Sequence, residues 1–235
     1  MAHSLFRSVG ARPLKNGHIE VYGNDPTWLV DNGLFAFDGT NVTPTLGNVG
    51  NRPCLNMTNS GSTATDGGQF QVTAASILLA ADSKQARIKF AYRGTTATQD
   101  VAFGLANIDT SIIASDPTDF IMIRKLAAET TFTLRCRKAS GTVFTASAVP
   151  VIAADTWYDG EIVMTYSTVA NQSRVQVYLG SNIAAGGIIP MVLDSVVPDS
   201  AFPNTVNMAS FQAWRAGSAA NVSGYVAYFG ADYDA

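Results

Sequence analysis

Residues 161–179, EIVMTYSTVANQSRVQVYL, decide the fold. Residues 161–166 and 174–179 are short β-prone runs, and the polar segment 170–173 lies between them. Two such runs separated by turn-forming residues are typical of a β-hairpin. This stretch therefore predicts two antiparallel strands joined by a turn.

The chain on both sides of this hairpin follows the same pattern. In residues 86–92 and 131–137, apolar side chains alternate with charged or polar ones, and a period of two predicts half-buried strands. In the second run, Arg135 and Arg137 are expected to face water. Further strands are predicted at residues 69–73, 76–80, 120–126, 206–214 and 223–234. Roughly a dozen short strands separated by turns predict an all-β sandwich.

Composition narrows the function classes. Of the 235 residues, 47% are hydrophobic and 14% are charged, which excludes an intrinsically disordered chain. The net charge of −3 is the wrong sign for diffuse phosphate binding, so we expect no nucleic-acid partner. The apolar runs are too short for a membrane span, so we expect no membrane partner.

The N-terminal region differs from the rest of the chain. We expect residues 1–34 to form an arm or extension and residues 35–235 to form one sandwich domain. Arg7, Arg12 and Lys15 occur in the first nineteen residues without an acidic residue, which indicates either an ordinary extended terminus or an arm lying along an acidic neighbour.

One of the three tryptophans is the remaining candidate for binding a partner. Trp28 follows an Asp-Pro pair and could contact a partner or fix the arm to the sandwich. With Arg7, Arg12 and Lys15 it completes the set of predicted partner-binding residues. Trp157 lies at the start of a predicted strand and Trp214 lies within one, and both are expected to pack in the core.

The sequence offers little for catalysis. Glycoside hydrolysis needs two carboxyl groups about 5 to 9.5 Å apart, and the chain has only three glutamates, Glu20, Glu129 and Glu161. Glu161 lies in an alternating strand, where a solvent-facing charge is the expected role. Both histidines, His3 and His18, lie in the predicted arm. We therefore expect no enzymatic activity and no catalytic residues.

Metal and disulfide chemistry is also sparse. Cys54 and Cys136 are expected to be free thiols packed as small hydrophobic groups, with a disulfide as the alternative. The acidic pairs Asp116/Asp119 and Asp232/Asp234 could place oxygens around Ca²⁺, although solvated carboxylates are the expected role. No resident cofactor or metal is therefore predicted, with Ca²⁺ as the alternative.

The C-terminal half resembles a known family of folds. Residues 155–164, DTWYDGEIVM, resemble the D-x-W-Y-x-x-x-I-x-x strand of concanavalin-A-like and laminin-G-like jelly rolls. Residues 174–180 (RVQVYLG), 224–233 (GYVAYFGADY) and 100–105 (DVAFGL) are similar to other strands of that fold. The resemblance covers about residues 35–235 and implies a concanavalin-like jelly-roll β-sandwich of two antiparallel sheets.

The low charge and the abundance of Ala, Thr, Gly and Ser also resemble virion proteins of tailed bacteriophages. That resemblance implies a non-enzymatic structural protein, a capsid decoration or cement protein that binds the assembled phage head and stabilises it. Its partners would be the major capsid protein or other virion proteins, and it would form a homo-oligomer. It would be located in the virion, on the capsid surface rather than the tail, after assembly in the host cytoplasm. The alternative is a lectin-like tail or fibre module that binds host surface glycans; a glycan-cleaving enzyme is a third hypothesis.

Overall fold

The computed structural model describes residues 17–22, 35–61, 63–73, 77–107, 112–184, 187–217 and 222–233. These residues form β-strands, turns and loops, and no helix occurs among them. Consequently, this part of the chain has no helix long and apolar enough to cross a membrane. The all-β prediction is confirmed.

The strands follow one another along the chain without intervening helices. They are β1 (Gly17–Tyr22), β2 (Phe35–Thr40), β3 (Val42–Val49), β4 (Arg52–Asn59), β5 (Gly67–Val72), β6 (Gln85–Gly94), β7 (Asp100–Ala106), β8 (Phe120–Lys125), β9 (Thr131–Arg137), β10 (Phe144–Val151), β11 (Tyr158–Thr165), β12 (Ser173–Ser181), β13 (Met191–Val197), β14 (Ala209–Arg215) and β15 (Ser223–Tyr233).

The strands form two antiparallel sheets. The eight-stranded sheet has the order β13-β12-β11-β6-β15-β4-β3, and β1 also pairs with β15. The seven-stranded sheet has the order β10-β9-β8-β7-β14-β5-β2. The larger of two hydrophobic clusters among the described residues contains side chains from both sheets. This is the two-sheet jelly-roll sandwich that the sequence predicts.

Local predictions are confirmed in most places. The hairpin at residues 161–179 is the antiparallel pair β11–β12, in which Thr165 faces Arg174. Residues 120–126 and 131–137 contain the paired strands β8 and β9. The strand predicted at residues 76–80 is wrong for the part that the structure describes, because Ile77 makes only one isolated bridge, to Met208.

The arm prediction needs a partial correction. Residues Gly17–Tyr22, assigned to the arm from the sequence, form β1 and pair along their length with the last strand, β15. The charge pattern suggested an extended segment but could not show which strand it would join. The domain boundary between residues 34 and 35 stays a prediction.

Aromatic side chains join the two sheets. Phe90 of β6 stacks on Phe103 of β7 with a centroid distance of 4.0 Å and an interplanar angle of 3°. Tyr92 and Phe132 contact Phe103 at centroid distances of 5.8 and 6.4 Å. Offset or edge-on aromatic pairs contribute about 0.5–1.5 kcal/mol beyond the area that they bury. Phe103 is therefore the centre of the contact between the sheets.

Tryptophan and cysteine side chains have their predicted places. Trp157 and Trp214 are buried. Cys54 and Cys136 are buried free thiols, as expected. Burial raises the pKa of both thiols, which keeps them protonated at neutral pH.

The prediction for Glu161 is wrong. Its side chain lies on the outer face of the eight-stranded sheet but is only 2% exposed. The strand β11 has a neighbour on each side, and the long side chains of Lys89 and Tyr178 stand at the same register. Such side chains cover the surface between them, whereas the alternation rule assumes that a polar face is open to water.

The core packing makes a testable prediction at Gly160. A Cβ at this position would lie 2.6 Å from Cε1 of Phe90, and that ring cannot retreat because it stacks on Phe103. We expect Gly160→Ala to lower the free energy of unfolding by about 1–3 kcal/mol in urea denaturation. The matched control is Gly47→Ala in β3, where a Cβ would have no atom within 4 Å. Equal stability of the two variants would contradict this account of the core.

Candidate functional site

The partner-binding residues predicted from the sequence are not placed by the structure. Arg7, Arg12, Lys15 and Trp28 all lie outside the described residues. Their assignment to a partner therefore stays a prediction. The site described below consists of other residues, on the outer face of the seven-stranded sheet.

The centre of this outer face is apolar. Alternate residues of the central strands turn small or apolar side chains away from the core, namely Ala102, Ala106, Phe120, Met122, Phe211 and Ala213. Ile112 and Ile113, which precede β8, pack on this patch and are buried. The backbone N–H of Ile112 donates a 2.9 Å hydrogen bond to Oε1 of Gln69 in β5. The segment from Ile112 to Asp119 therefore divides the outer face into two regions.

An open cleft of about 190 Å³ lies on one side of this segment. Its floor is formed where β5 pairs with β14, by Gly67, Gly68 and Ala213. Its polar and apolar walls come from four parts of the chain, with Asp38, Thr40, Thr65, Gln69, Ile113 and Arg215 among the lining residues.

Glycine keeps the floor of the cleft open. A Cβ on Gly67 would lie 2.7 Å from the Cα atom of Arg215, so no larger side chain fits there without moving the strand. Residue Asp38 stands on the edge strand β2, at the same register as Gln69 on β5. A carboxylate, an amide and a guanidinium group thus surround a floor made of backbone.

The Arg215 side chain has an acidic neighbour. Its Nη1 lies 4.0 Å from Oδ2 of Asp100, its register partner on β7. Burial raises the pKa of Asp100, while the N–H of Ala127, at 2.6 Å from Oδ1, and the charge of Arg215 act in the opposite direction. The long separation leaves guanidinium donors of Arg215 free of this contact.

Arginine side chains occupy the other region of the outer face, on β8 and β9. Both Nη atoms of Arg135 donate to the carboxylate of Asp116, one of them at 2.7 Å, and Nη1 of Arg124 donates to Oδ1 of the same carboxylate at 3.1 Å. Arg135 and Arg137 were expected to face water; they point outward but are only partly exposed.

The acidic pairs considered for Ca²⁺ have other contacts. Asp116 is bound by two guanidinium groups, and Oδ1 of Asp119 accepts the N–H of Ala139 at 2.8 Å. Asp232 pairs with Lys89 at 2.9 Å, and residue 234 lies outside the described residues. In the part of the chain that is described, no group of three or more His, Cys, Asp or Glu side chains could hold a metal ion.

Neither the cleft nor the arginine region is predicted from the sequence. The cleft joins residues 38, 69 and 215, which are distant in the chain and meet only through strand pairing. A local signal did exist for the covering segment: Ala102, Gly104 and Ala106 alternate along β7, and such small residues let another segment lie close to the sheet.

Solved structures with the same fold include lectins and a glucanase. Lectin II from Ulex europaeus matches with a TM-score of 0.56 and 12% identity, over 94% of this chain and 99% of that one. Arcelin-5, a lectin-like defense protein from Phaseolus vulgaris, matches with a TM-score of 0.57 and 9% identity, over 92% and 98%. Bacillus licheniformis β-glucanase matches with a TM-score of 0.54 and 11% identity, over 94% and 99%.

At these identities the likeness concerns the fold alone. It confirms the concanavalin-like jelly-roll sandwich. By name, the three similar proteins are a lectin, a lectin-like defense protein and a glucanase. No protein-family model matches the sequence, and no curated protein matches it.

The Asp116 contacts predict a pH dependence of stability. Burial raises the pKa of Asp116, but the hydrogen bonds and charge of Arg135, together with Arg124, lower it more, so the net pKa lies below its ordinary value. The stabilisation is therefore complete above the unfolded pKa of about 3.9 and is lost as the pH falls through the lower folded pKa. We expect Asp116→Asn to destabilise the protein in urea at about pH 7 and to have a smaller effect at about pH 2.5, because the carboxylate loses part of its stabilising charge below the unfolded pKa of about 3.9.

The control for this experiment is Asp155→Asn, which removes one charge from an exposed pair with Arg93. Exposed pairs contribute little to stability, so this variant should show a smaller change at either pH. An Asp116→Asn effect that is the same at both pH values would contradict the ion-pair account.

Proposed function

We propose that this chain is a non-enzymatic carbohydrate-binding protein and that the cleft beside Ile113 receives a sugar. The observation that carries the proposal is the open, glycine-floored cleft with Asp38, Gln69 and Arg215 around it. Carbohydrate binding is the alternative that the sequence offers to capsid decoration. We prefer it because the structure contains this cleft.

The lining of the cleft suits the chemistry of a sugar ring. Sugar hydroxyls both donate and accept hydrogen bonds; Asp38 can accept, Arg215 can donate, and Thr40 and Thr65 can do both. Ile113 is largely buried, and its 7% exposed part adds a small apolar edge to the lining, against which a C–H group of the ring can lie. The volume is below the roughly 300–1,000 Å³ of pockets for drug-sized ligands, which favours a single ring in the cleft.

The placement of carboxylates favours binding over hydrolysis. Asp38 on β2 lines the cleft, and Asp100 on β7 lies beyond its Arg215 wall. Asp66 lies beside the lining residues Thr65 and Gly67, but it is buried and its carboxylate accepts hydrogen bonds from Asn41 and Thr63. The strands of Asp38 and Asp100 are separated by β5 and β14, so their backbones are three strand spacings, about 14 Å, apart. Glycosidases hold their two carboxyl groups about 5–9.5 Å apart. The presence of a glucanase among proteins of this fold makes a direct activity test necessary.

A specific observation also favours the second candidate, the phage capsid decoration protein. The strand β13 ends the eight-stranded sheet, and Ile188, Met191 and Val196 in or beside it are exposed. Apolar side chains on a sheet edge favour pairing with another chain. In this proposal, the edge contacts a second copy of the chain or the major capsid protein, and the basic residues Arg7, Arg12 and Lys15 would add to the contact with an acidic neighbour.

The cleft proposal predicts loss of binding in Asp38→Asn. On a printed panel of neutral and acidic glycans, we expect the wild type to bind at least one glycan. Asp38→Asn should weaken the strongest interaction by about ten-fold or more in calorimetry, because a hydrogen bond to a charged group is worth about 1.5–3 kcal/mol. Asp155→Asn, with the same charge change away from the cleft, should bind as the wild type does.

Incubation with mixed-linkage β-glucan should release no reducing ends. If the wild type releases reducing ends and the Asp100→Asn variant does not, the protein is a hydrolase. Failure of the wild type to bind any glycan on the panel would contradict the cleft proposal.

The decoration hypothesis predicts self-association through β13. We expect sedimentation of the wild type to show a dimer or higher oligomer, and Met191→Lys to shift it toward the monomer because the added charge would be buried in the contact. The control is Leu46→Lys on β3, where an exposed apolar residue lies at the opposite end of the same sheet. A monomeric wild type would count against this contact.

A further inference from the structure

The arginine cluster on β8 and β9 has more positive than negative charge. Arg124, Arg135 and Arg137 all stand on the outward-facing side of these strands, and Asp116 contacts the first two. Arg137 donates to backbone carbonyl groups, among them those of Gly141 and Ser140 at 3.2 and 3.1 Å. Carbonyl groups carry no net charge, so these bonds orient the guanidinium without neutralising it.

Other charges lie around these arginines. Arg215 is a further cation on this face and Asp100, Asp119 and Glu129 are further carboxylates, whereas Lys125 points to the other side of β8 and is buried. In direct contact, Arg124 and Arg135 share the one carboxylate of Asp116, and Arg137 donates to carbonyl groups, so these three guanidinium groups have one bound carboxylate among them in the described part of the chain. The chain as a whole has a net charge of −3, so the excess positive charge is a local property of the three arginines and Asp116.

The guanidinium groups are partly exposed. The side chains of Arg124 and Arg135 are 15% and 13% exposed. Nε of Arg124 is buried and has no hydrogen-bond partner among the described residues, so the charge of this group is incompletely compensated inside the protein. Burial lowers the pKa of Arg124, and the neighbouring charge of Arg135 lowers it further, against the opposing effect of Asp116. An added anion would relieve this repulsion.

Hydroxyl groups stand beside the arginines. Thr133 is the register partner of Arg124, and Thr145 on β10 is the register partner of Arg135. Thr145 is exposed. Guanidinium groups bind carboxylates and other oxyanions through paired hydrogen bonds, and adjacent hydroxyls can bind the hydroxyls of the sugar that carries the anion.

We propose that this cluster binds the carboxylate or sulfate group of an acidic glycan whose neutral part occupies the cleft. This inference rests on the proposed function and adds the ligand class to it. The cluster and the cleft lie on the same face of the seven-stranded sheet, on either side of the segment with Ile112 and Ile113. From β5 to β9 the distance is four strand spacings, about 19 Å, which an oligosaccharide can span and a monosaccharide cannot.

The test compares three oligosaccharides of equal length by calorimetry: oligogalacturonate, which bears carboxylates, a carrageenan oligosaccharide, which bears sulfates, and a neutral galacto-oligosaccharide. We expect at least one acidic ligand to bind about ten-fold or more tightly than the neutral one. Arg124→Gln should remove that preference and leave neutral binding unchanged. The control is Arg174→Gln on the eight-stranded sheet, which makes the same charge change in an exposed pair with Asp194. This variant should keep the wild-type preference for the acidic ligand.

The variant Asp116→Asn shows whether the arginine cluster binds a ligand or only forms a structural ion pair. Without the carboxylate, two guanidinium groups lose their internal partner, so affinity for the acidic ligand should rise several-fold, and the ligand should raise the Tm of this variant more than that of the wild type. A purely structural cluster would show no gain in affinity. Thermal unfolding of each variant confirms that it is folded before binding is measured.

The outcomes distinguish the two proposals. Equal affinity for neutral and acidic ligands would overturn the inference and leave the carbohydrate-binding function intact. Binding of none of the three would also overturn the inference, and no binding on the glycan panel either would overturn the proposed function as well. Equal affinity for a single-stranded DNA oligonucleotide of matching charge would also overturn the inference, because it would show non-specific attraction of polyanions.

Discussion

The stacking of Phe90 on Phe103 fixes the relation between the two sheets, and the rest of the structure depends on it. Successive residues of a strand point to opposite faces, so a one-residue shift of β7 would bring Phe103 to the surface. With Phe103 in the core, Ala102 and Gly104 must lie on the outer face. Those small residues are what allow Ile112 and Ile113 to pack there. Core packing and the layout of the outer surface are therefore set by the same register.

The outer face of the seven-stranded sheet presents groups suited to binding. Its centre is covered by apolar residues, its polar cleft has a backbone floor, and its arginines surround a single carboxylate. Reactive chemistry needs groups held at close and fixed separations, whereas this face spreads its polar side chains over several strands. Such an arrangement matches an extended ligand with many weak contacts, which is the character of an oligosaccharide.

The sequence predicted the fold because its signals are local. Alternation along β6 and β9 and the turn at residues 170–173 each depend on a few consecutive residues. The buried state of the two tryptophans follows from the place of Trp214 in β14 and of Trp157 directly before β11. The cleft could not be predicted, since it needs the pairing of β2, β5 and β14, which join distant parts of the chain. The burial of Glu161 was missed for a related reason: the neighbours of β11 that cover it are set by sheet order, and a single strand does not specify that order. The predicted partner-binding residues lie outside the described part of the chain, so their role stays a prediction; they are Arg7, Arg12, Lys15 and Trp28.

We propose that a sugar binds in the cleft on the outer face of the seven-stranded sheet. The most direct measurement is a titration of ¹⁵N-labelled protein with the glycan that binds best, followed by NMR of the backbone amides. The account predicts that the amide signals of Gly67, Gly68 and Ala213, on the cleft floor, shift most. Shifts confined to β13 or to the outer face of the eight-stranded sheet would contradict it.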